Sequence, residues 1–129
     1  MAKKVVGLCF KVEDRPGVLA SIADIPGKQG INIEGVGAIT LDGKGAICLV
    51  INNPQKATEA FNKAGIKFEQ KDLIEFNLQD KPGELAKVAH ALADAKVNIS
   101  SFFITERKTA VIAVDKTSEA VTVLQKISV

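Results

Sequence analysis

The sequence repeats itself, and that restricts what it can fold into more than any other feature. Residues 14–33 read DRPGVLASIADIPGKQGINI and residues 80–99 read DKPGELAKVAHALADAKVNI, aligned at an offset of 66 without a gap. Eight of these twenty positions are identical, and Arg15/Lys81, Ile22/Val88 and Ile31/Val97 are close substitutions. The match extends backwards, pairing Leu8, Phe10 and Val12 with Ile74, Phe76 and Leu78. Further on the offset falls to 63, pairing Ile47, Leu49 and Ile51 with Ala110, Ile112 and Val114, and Ala57, Phe61 and Ala64 with Ala120, Leu124 and Ile127. The lost residues fall between Asp42-Gly43-Lys44-Gly45 and Glu106-Arg107-Lys108. Length changes belong in exposed turns, so the slip marks a hairpin tip. Self-similarity at a fixed period means one structural unit used twice.

Each copy reads the same way. Residues 5–12 alternate, with Val6, Leu8, Phe10 and Val12 on one face of a half-buried strand. Residues 16–29 carry Leu19, Ile22 and Ile25 at helical spacing. Residues 31–40 and 45–52 are strands on either side of Asp42-Gly43, a hairpin dipeptide. Asn53-Pro54 reads as an N-cap and first helical position, the helix runs to about Ala64, and Gly65 ends it. Ile66–Gln70 is expected to be a fourth strand. The order is βαββαβ, which makes the fold class α+β: two tandem ferredoxin-like units, each an antiparallel sheet with both helices on one face.

The expected division is 1–70 for the first repeat and 71–129 for the second. Val129 aligns with Ile66, so the fourth strand of the second repeat is expected to be missing or very short. Strand Leu73–Leu78 would then have an open edge, a pairing liability, to be covered by Ile66–Gln70 or by a second chain. Homodimerisation is the favoured expectation. Pro26-Gly27 stands where the second copy has Leu92-Ala93. Proline removes a helical donor, so the first helix is expected to end near Ile25 and the second repeat to have the longer one.

Charge and composition exclude several classes of function. Lys and Arg total 17 against 15 Asp and Glu, a net charge of +2 with the signs mixed along the chain. Such a balance supplies neither a nucleic-acid footprint nor a basic membrane-binding surface. No apolar run approaches the ~18 residues of a membrane span. The Met-Ala-Lys-Lys start leads into no small-residue cleavage site, so a cytoplasmic protein without a secretory leader is expected. One histidine and two cysteines do not make the usual zinc site, and no cofactor or metal is expected. Cys9 and Cys48 fall on neighbouring strands, and a reducing cytoplasm favours free thiols there.

The repeated loop, Asp-basic-Pro-Gly-x-Leu-Ala, closes a strand and opens a helix. The N–H groups of Gly17, Val18 and Leu19 are then orphan donors at the positive end of the helix dipole, a setting suited to a carboxylate. Asp14 adds a negative charge, and Asn32 adds a donor and an acceptor. Complementary anion and cation sites are what an α-amino acid needs. The second copy repeats the set as Asp80, Gly83, Glu84, Leu85 and Asn98. A plainer reading stands beside this one: Asp14 and Asp80 cap helices, and Asn32 and Asn98 satisfy backbone groups at strand ends.

The segments DRPGVLASIA…GINI and DKPGELAKVA…VNI resemble the ACT domain, and the resemblance covers nearly the whole chain as two copies. It implies a βαββαβ regulatory module that binds amino acids at ACT–ACT interfaces. In such an interface the loop of one copy meets the Asn-Ile strand start of another. It implies Asp14, Gly17, Val18, Leu19 and Asn32 for one site and Asp80, Gly83, Glu84, Leu85 and Asn98 for the other. The second loop, followed by an unbroken helix pattern, is the favoured of the two. The resemblance also implies pairing of ACT domains, and with it an amino-acid effector, a homodimer and a metabolic-enzyme partner.

The remaining residues support bland assignments. His90 lies off the Leu85–Val88–Leu92 stripe and is expected in solvent. Gly35-x-Gly37 and Gly43-x-Gly45 lack the strand–loop–helix context of a phosphate loop and read as a hairpin. Phe102 and Phe103 must face opposite ways in a strand. Three functional readings follow: an amino-acid sensor without catalytic activity, an accessory subunit that docks on an enzyme or transporter, and an enzyme. The last ranks lowest because no acid, base and nucleophile converge.

Overall fold

The computed structural model describes residues 2–127, which contain four helices and six strands. They group into two compact units. Residues Val6–Lys71 form the first; residues 2–5 and 72–127 form the second. Val129, the residue aligned with Ile66, lies outside the described residues.

The first unit is built from β1 (Lys3–Glu13, from Val6 onwards), α1 (Val18–Lys28), β2 (Ile33–Leu41), β3 (Lys44–Ile51) and α2 (Pro54–Lys63). Its strands run antiparallel in the order β2-β3-β1. Alternation along β1 buries Leu8 and Phe10 on the side where Ile22 of α1 and Ala57 and Phe61 of α2 pack, so both helices cover one face. Phe10, Phe61 and Phe68 form a ring cluster with centroids 4.8, 6.1 and 6.0 Å apart, within the range of favourable aromatic pairs.

The helix and turn signals work as expected. The Asn53 side chain accepts from the Lys56 N–H at 3.2 Å, Pro54 begins α2, and Gly65 follows its end at φ 72°. Asp42 and Gly43 both have positive φ, 54° and 77°, which is the two-residue turn matching strand twist.

The second unit repeats the plan with β4 (Glu69–Asn77, from Asp72 onwards), α3 (Glu84–Asp94), β5 (Ile99–Ile104), β6 (Thr109–Val114) and α4 (Thr117–Lys126). Its strands run in the order β4-β6-β5. Ile74, Phe76, Val88, Leu92, Ile112 and Leu124 make its core, and Phe102 meets Phe76 edge-on at 6.2 Å. The start of the chain also belongs to this unit. Ala2 is buried in the same core, and Lys3 Nζ lies 3.8 Å from the Glu75 carboxylate. The described residues therefore bring the beginning of β1 to β4, the strand whose edge the sequence leaves open.

Three expectations are corrected. Ile66–Gln70 is not a separate strand. Ile66 and Phe68 are unpaired chain packed on the first core, and Glu69–Asn77 is one continuous strand. Lys71 and Asp72, expected as a connection, are both residues of that strand.

The first helix does not stop at Ile25. It runs through a buried Pro26 to Lys28, the same eleven residues as α3. Pro26 falls in the last turn, where its missing donor removes one bond and the Ile31 N–H still closes onto the Pro26 carbonyl at 2.9 Å. Val97 closes onto Leu92 in the same way at 2.9 Å.

Leu19 and Leu85, both candidate site residues, are 50% and 54% exposed. The thiols are not free. Cys9 and Cys48 are direct partners across β1 and β3 and form a disulfide.

Candidate functional site

Both repeated loops end the same way. Gly17 precedes α1 at φ 89°, ψ −8°, and Gly83 precedes α3 at φ 89°, ψ −12°. This left-handed region is why the motif carries glycine: a Cβ at either position would meet nothing within 4 Å, so the demand is conformational. A glycine has no side chain to cap the helix. The first turns close through Ser21 N–H to Gly17 O and Lys87 N–H to Gly83 O, both at 2.9 Å, and in the second loop Glu84 N–H also donates to the Lys81 carbonyl at 3.4 Å. The remaining first-turn N–H groups have no backbone acceptor among the described residues, the arrangement that accepts an anion at a helix start.

Asp14 and Asp80 do not cap. Among the described residues neither carboxylate has a hydrogen bond or ion pair, and both are exposed. Asn32 and Asn98 are exposed too, with their side-chain amides unengaged. Their backbones do the strand-end work instead. Asn52 N–H donates to the Asn32 carbonyl at 3.4 Å and Asp115 N–H to the Asn98 carbonyl at 3.2 Å. The Asp115 carboxylate accepts from the Asn98 N–H at 2.9 Å. A register shift follows each asparagine, between Ile33 and Gly35 and between Ile99 and Ser101. Such bulges re-aim side chains.

The loops differ in charge. Arg15 sits 3.5 Å from Glu13, and the first turn of α1 has no acidic residue. In the second loop Lys81 lies 3.6 Å from Glu84, which occupies the first turn of α3.

The structure does not bring loop and asparagine together within a unit. Glu13 pairs with Lys44, so the first loop leaves the Lys44 end of β3, whereas Ile33 pairs with Ile51 at the other end. Eight residues of strand separate these ends by roughly 23 Å at ~3.3 Å per residue. The second unit is arranged likewise, with Asn77 opposite Thr109 and Ile99 opposite Val114. Beside the first loop lies a shallow depression of about 150 Å³, lined by Asp14, Arg15, Val18 and Leu19 with Ala38–Thr40 of β2. Leu19 and Leu85 project from corresponding first turns, so each loop offers apolar surface beside polar backbone.

A polar cluster in the second unit escaped the sequence reading. Glu75 is 3% exposed in the middle of β4. Arg107 Nη2 donates to its two oxygens at 3.0 and 2.9 Å, and the Thr109 hydroxyl donates to one of them. Burial alone would raise this carboxyl's pKa. The Thr109 hydroxyl, the Arg107 guanidinium and Lys3 outweigh it and hold the group below the ordinary carboxylate value. The sequence signal was an acidic residue inside the apolar run Leu-Ile-Glu-Phe. The cluster ties the β5–β6 turn to β4. His90 is exposed, as its helical position suggests.

No helix of the described residues is long and apolar enough to cross a membrane. Comparison with known proteins finds two family matches: a model of the ACT domain over residues 73–125, and one of the AHAS small subunit-like ACT domain over residues 8–67. No curated protein matches the sequence. Among solved structures, a Bacteroides thetaiotaomicron protein superposes with a TM-score of 0.84 at 22% identity, covering 97% of this chain and 89% of that one. The regulatory subunit of aspartate kinase from Thermus thermophilus, in a ligand-free form, gives 0.66 at 15% identity, with 100% and 98% covered. That from Thermus flavus gives 0.68 at 15% identity, with 98% and 94% covered. At these identities the likeness is one of fold.

Proposed function

The chain belongs to the ACT-domain family, with two ACT repeats in tandem, and on that footing we propose that it is a regulatory protein without catalytic activity that senses a free amino acid at ACT–ACT interfaces. The observation that carries this reading is the duplicated loop. Two helix starts, 66 residues apart in sequence, hold the same left-handed glycine, first-turn N–H groups without an intrahelical acceptor and an unengaged aspartate, the Glu84 N–H of the second donating to the Lys81 carbonyl. Asn32 and Asn98 are unengaged as well, at the far end of the unit from their own loops.

A site that uses both features must therefore join the loop of one ACT copy to the strand start of another. Asp14, Gly17, Val18, Leu19 and Asn32 would serve one set of contacts; Asp80, Gly83, Glu84, Leu85 and Asn98 the other. Backbone donors take the α-carboxylate, and the aspartate takes the ammonium group. The repeat divisions near residues 1–70 and 71–129 serve the same reading, each repeat supplying one loop and one asparagine.

Pairing of two chains fits β2, which exposes Val36, Ile39 and Leu41 along an edge without a charged residue between them. Flat apolar edges of this kind pair, and the proposed assembly is a homodimer. The structurally similar Thermus chains are described as regulatory subunits of aspartate kinase, which supports a regulatory role; a cytoplasmic setting is part of the same proposal. The same exposed leucines and edge favour a second reading, an accessory subunit docking on a metabolic enzyme or transporter without an amino-acid effector.

A thermal-shift screen of the full chain against the twenty amino acids decides between them, read by dye or calorimetry because the chain has no Trp or Tyr. A ligand at one hundred times its Kd stabilises by ~2.7 kcal/mol, a midpoint rise on the order of 10 °C for a domain this small. The expected result is a rise with one or a few amino acids, lost in Asp14→Ala, Asn32→Ala, Asp80→Ala or Asn98→Ala. No rise with any of the twenty would leave the docking subunit as the function.

A further inference from the structure

Cys9 and Cys48 face each other across β1 and β3, bonded through sulfur with their Cα atoms 4.1 Å apart. They lie on the sheet face turned away from α1 and α2. Their strand neighbours Leu8 and Phe10, and Ile47 and Leu49, are buried in the helix-side core, and strand residues alternate in direction. Both cysteines are half-buried rather than sealed in the helix-side core.

Two observations distinguish this bond from a scaffold staple. First, the strands hold the cysteines together without it. The β1–β3 ladder runs through seven partner pairs, from Gly7 opposite Val50 to Glu13 opposite Lys44, with the cysteine pair inside that run. Second, the duplication contains its own control. The residues aligned with Cys9 and Cys48 are Glu75 and Val111, which are also direct cross-strand partners, and that strand pair forms with no covalent link. The second copy therefore pairs the equivalent strands without a crosslink at this place.

We propose that Cys9–Cys48 is a reversible thiol–disulfide switch that tightens the first unit when oxidised. The bond closes a loop of sequence separation 39. That loop contains every first-repeat residue assigned to the amino-acid site: Asp14, Gly17, Val18, Leu19 and Asn32. Closing it restrains the loop and the strand start together.

The exchange partner is a thiol of the glutathione or dithiol class. One thiolate attacks a sulfur of the pair, the S–S bond breaks and a mixed disulfide forms. A second thiolate then displaces the remaining cysteine. Two electrons and two protons arrive on Cys9 and Cys48, and the reductant leaves as its own disulfide; oxidation is the reverse. In a reducing compartment disulfides of this kind are transient and responsive. The switch does not depend on the amino-acid reading, and its test uses no amino acid.

The test equilibrates the full chain in buffers ranging from reduced to oxidised glutathione, blocks free thiols with a maleimide and weighs the intact protein. The expected result is two species only, carrying two labels or none, which interconvert on exchanging the buffer while the circular dichroism stays folded. Amide exchange in Lys44–Ile51 should be at least tenfold slower in the oxidised form. Cys9→Ala/Cys48→Ala should exchange at the reduced form's rate in either buffer. If that variant does not fold, the reduced natural chain carries the comparison alone. A bond that opens only in denaturant would overturn the proposal. So would separate glutathione adducts on the two cysteines, or equal exchange rates in the two states.

Discussion

Replacing Glu75 by Gln tests whether the buried cluster of the second unit holds that unit together. Glu75 is 3% exposed and accepts from Arg107 on both oxygens, at 3.0 and 2.9 Å, and from the Thr109 hydroxyl. Glutamine keeps the volume and one acceptor oxygen. It puts a donor where the second oxygen was, so one Arg107 or Thr109 donor must then face another donor. Hydrogen bonds to charged groups contribute about 1.5–3 kcal/mol each. The Arg107 side chain is 42% exposed, so water takes up part of what it loses.

The net expectation for Glu75→Gln is a loss of about 2–3 kcal/mol at pH 7, read by urea denaturation with the slope unchanged. Because the folded-state pKa is lowered from an ordinary value of 4.5, the charge stabilises fully above that value. Its contribution disappears as pH falls through the lower, folded-state value. The gap between natural chain and variant should be constant from pH 7 to about 5 and should close in more acid solution. A gap that stays constant into acid, or a variant as stable as the natural chain at pH 7, would refute the reasoning.

Two further substitutions probe helix ends. Lys96 ends α3 at φ 59°, where the equivalent Gly30 ends α1 at φ 68°. Lys96→Gly should therefore stabilise by about 1 kcal/mol, since a left-handed conformation costs a residue with a Cβ ~1–2 kcal/mol and glycine's extra unfolded-state freedom offsets part of that. The Lys96 carbonyl would keep its bond from Lys116 Nζ. Asn53→Ala removes the acceptor of the Lys56 N–H at the start of α2 and should lower stability by about 1 kcal/mol. Both are measured by chemical denaturation.

Local chemistry was legible wherever one residue type decides the backbone. Asp42-Gly43 specified a turn, Asn53-Pro54 a helix start and Gly65 a helix end, because each removes or supplies a particular donor or a positive φ. The duplication was legible because the helix-side core keeps its spacing: Leu8 and Phe10 return as Ile74 and Phe76.

Features set by distant chain were not legible. Lys71-Asp72 looked like a connection between two strands because alternation on either side fits two cores, yet the backbone runs straight from one to the other. Ala2 joining the second core depends on where the chain start is carried, which no local signal encodes. Pro26 misled because its cost depends on position: interior prolines break helices, but one in the last turn forfeits a single bond and fills space in the core. Leu19 fits the apolar stripe of α1, yet it is half exposed in the first turn, where it borders the depression beside β2. Of the candidate site, the loop backbone was readable from Asp-x-Pro-Gly. Its separation from Asn32 by the length of β3 became visible only with the register.

The two copies have kept one face of the unit and changed the other. On the helix side, both must fill a core, and the apolar positions recur, Leu8 and Phe10 as Ile74 and Phe76. On the opposite face the position of Cys9 holds Glu75, and that of Cys48 holds Val111. In the first unit, strands β1 and β3 are tied by a covalent bond. In the second, β4 and β6 are tied through the Glu75 carboxylate and the Thr109 hydroxyl, with Arg107 reaching in from the turn beyond β5. Both ties span the same pair of strands in their repeat. They answer to different chemistry, one to reductant and the other to acid. A duplicated fold with identical ties would loosen everywhere at once. Here the two units carry different ties, so reductant and acid are expected to act on different units of a single chain.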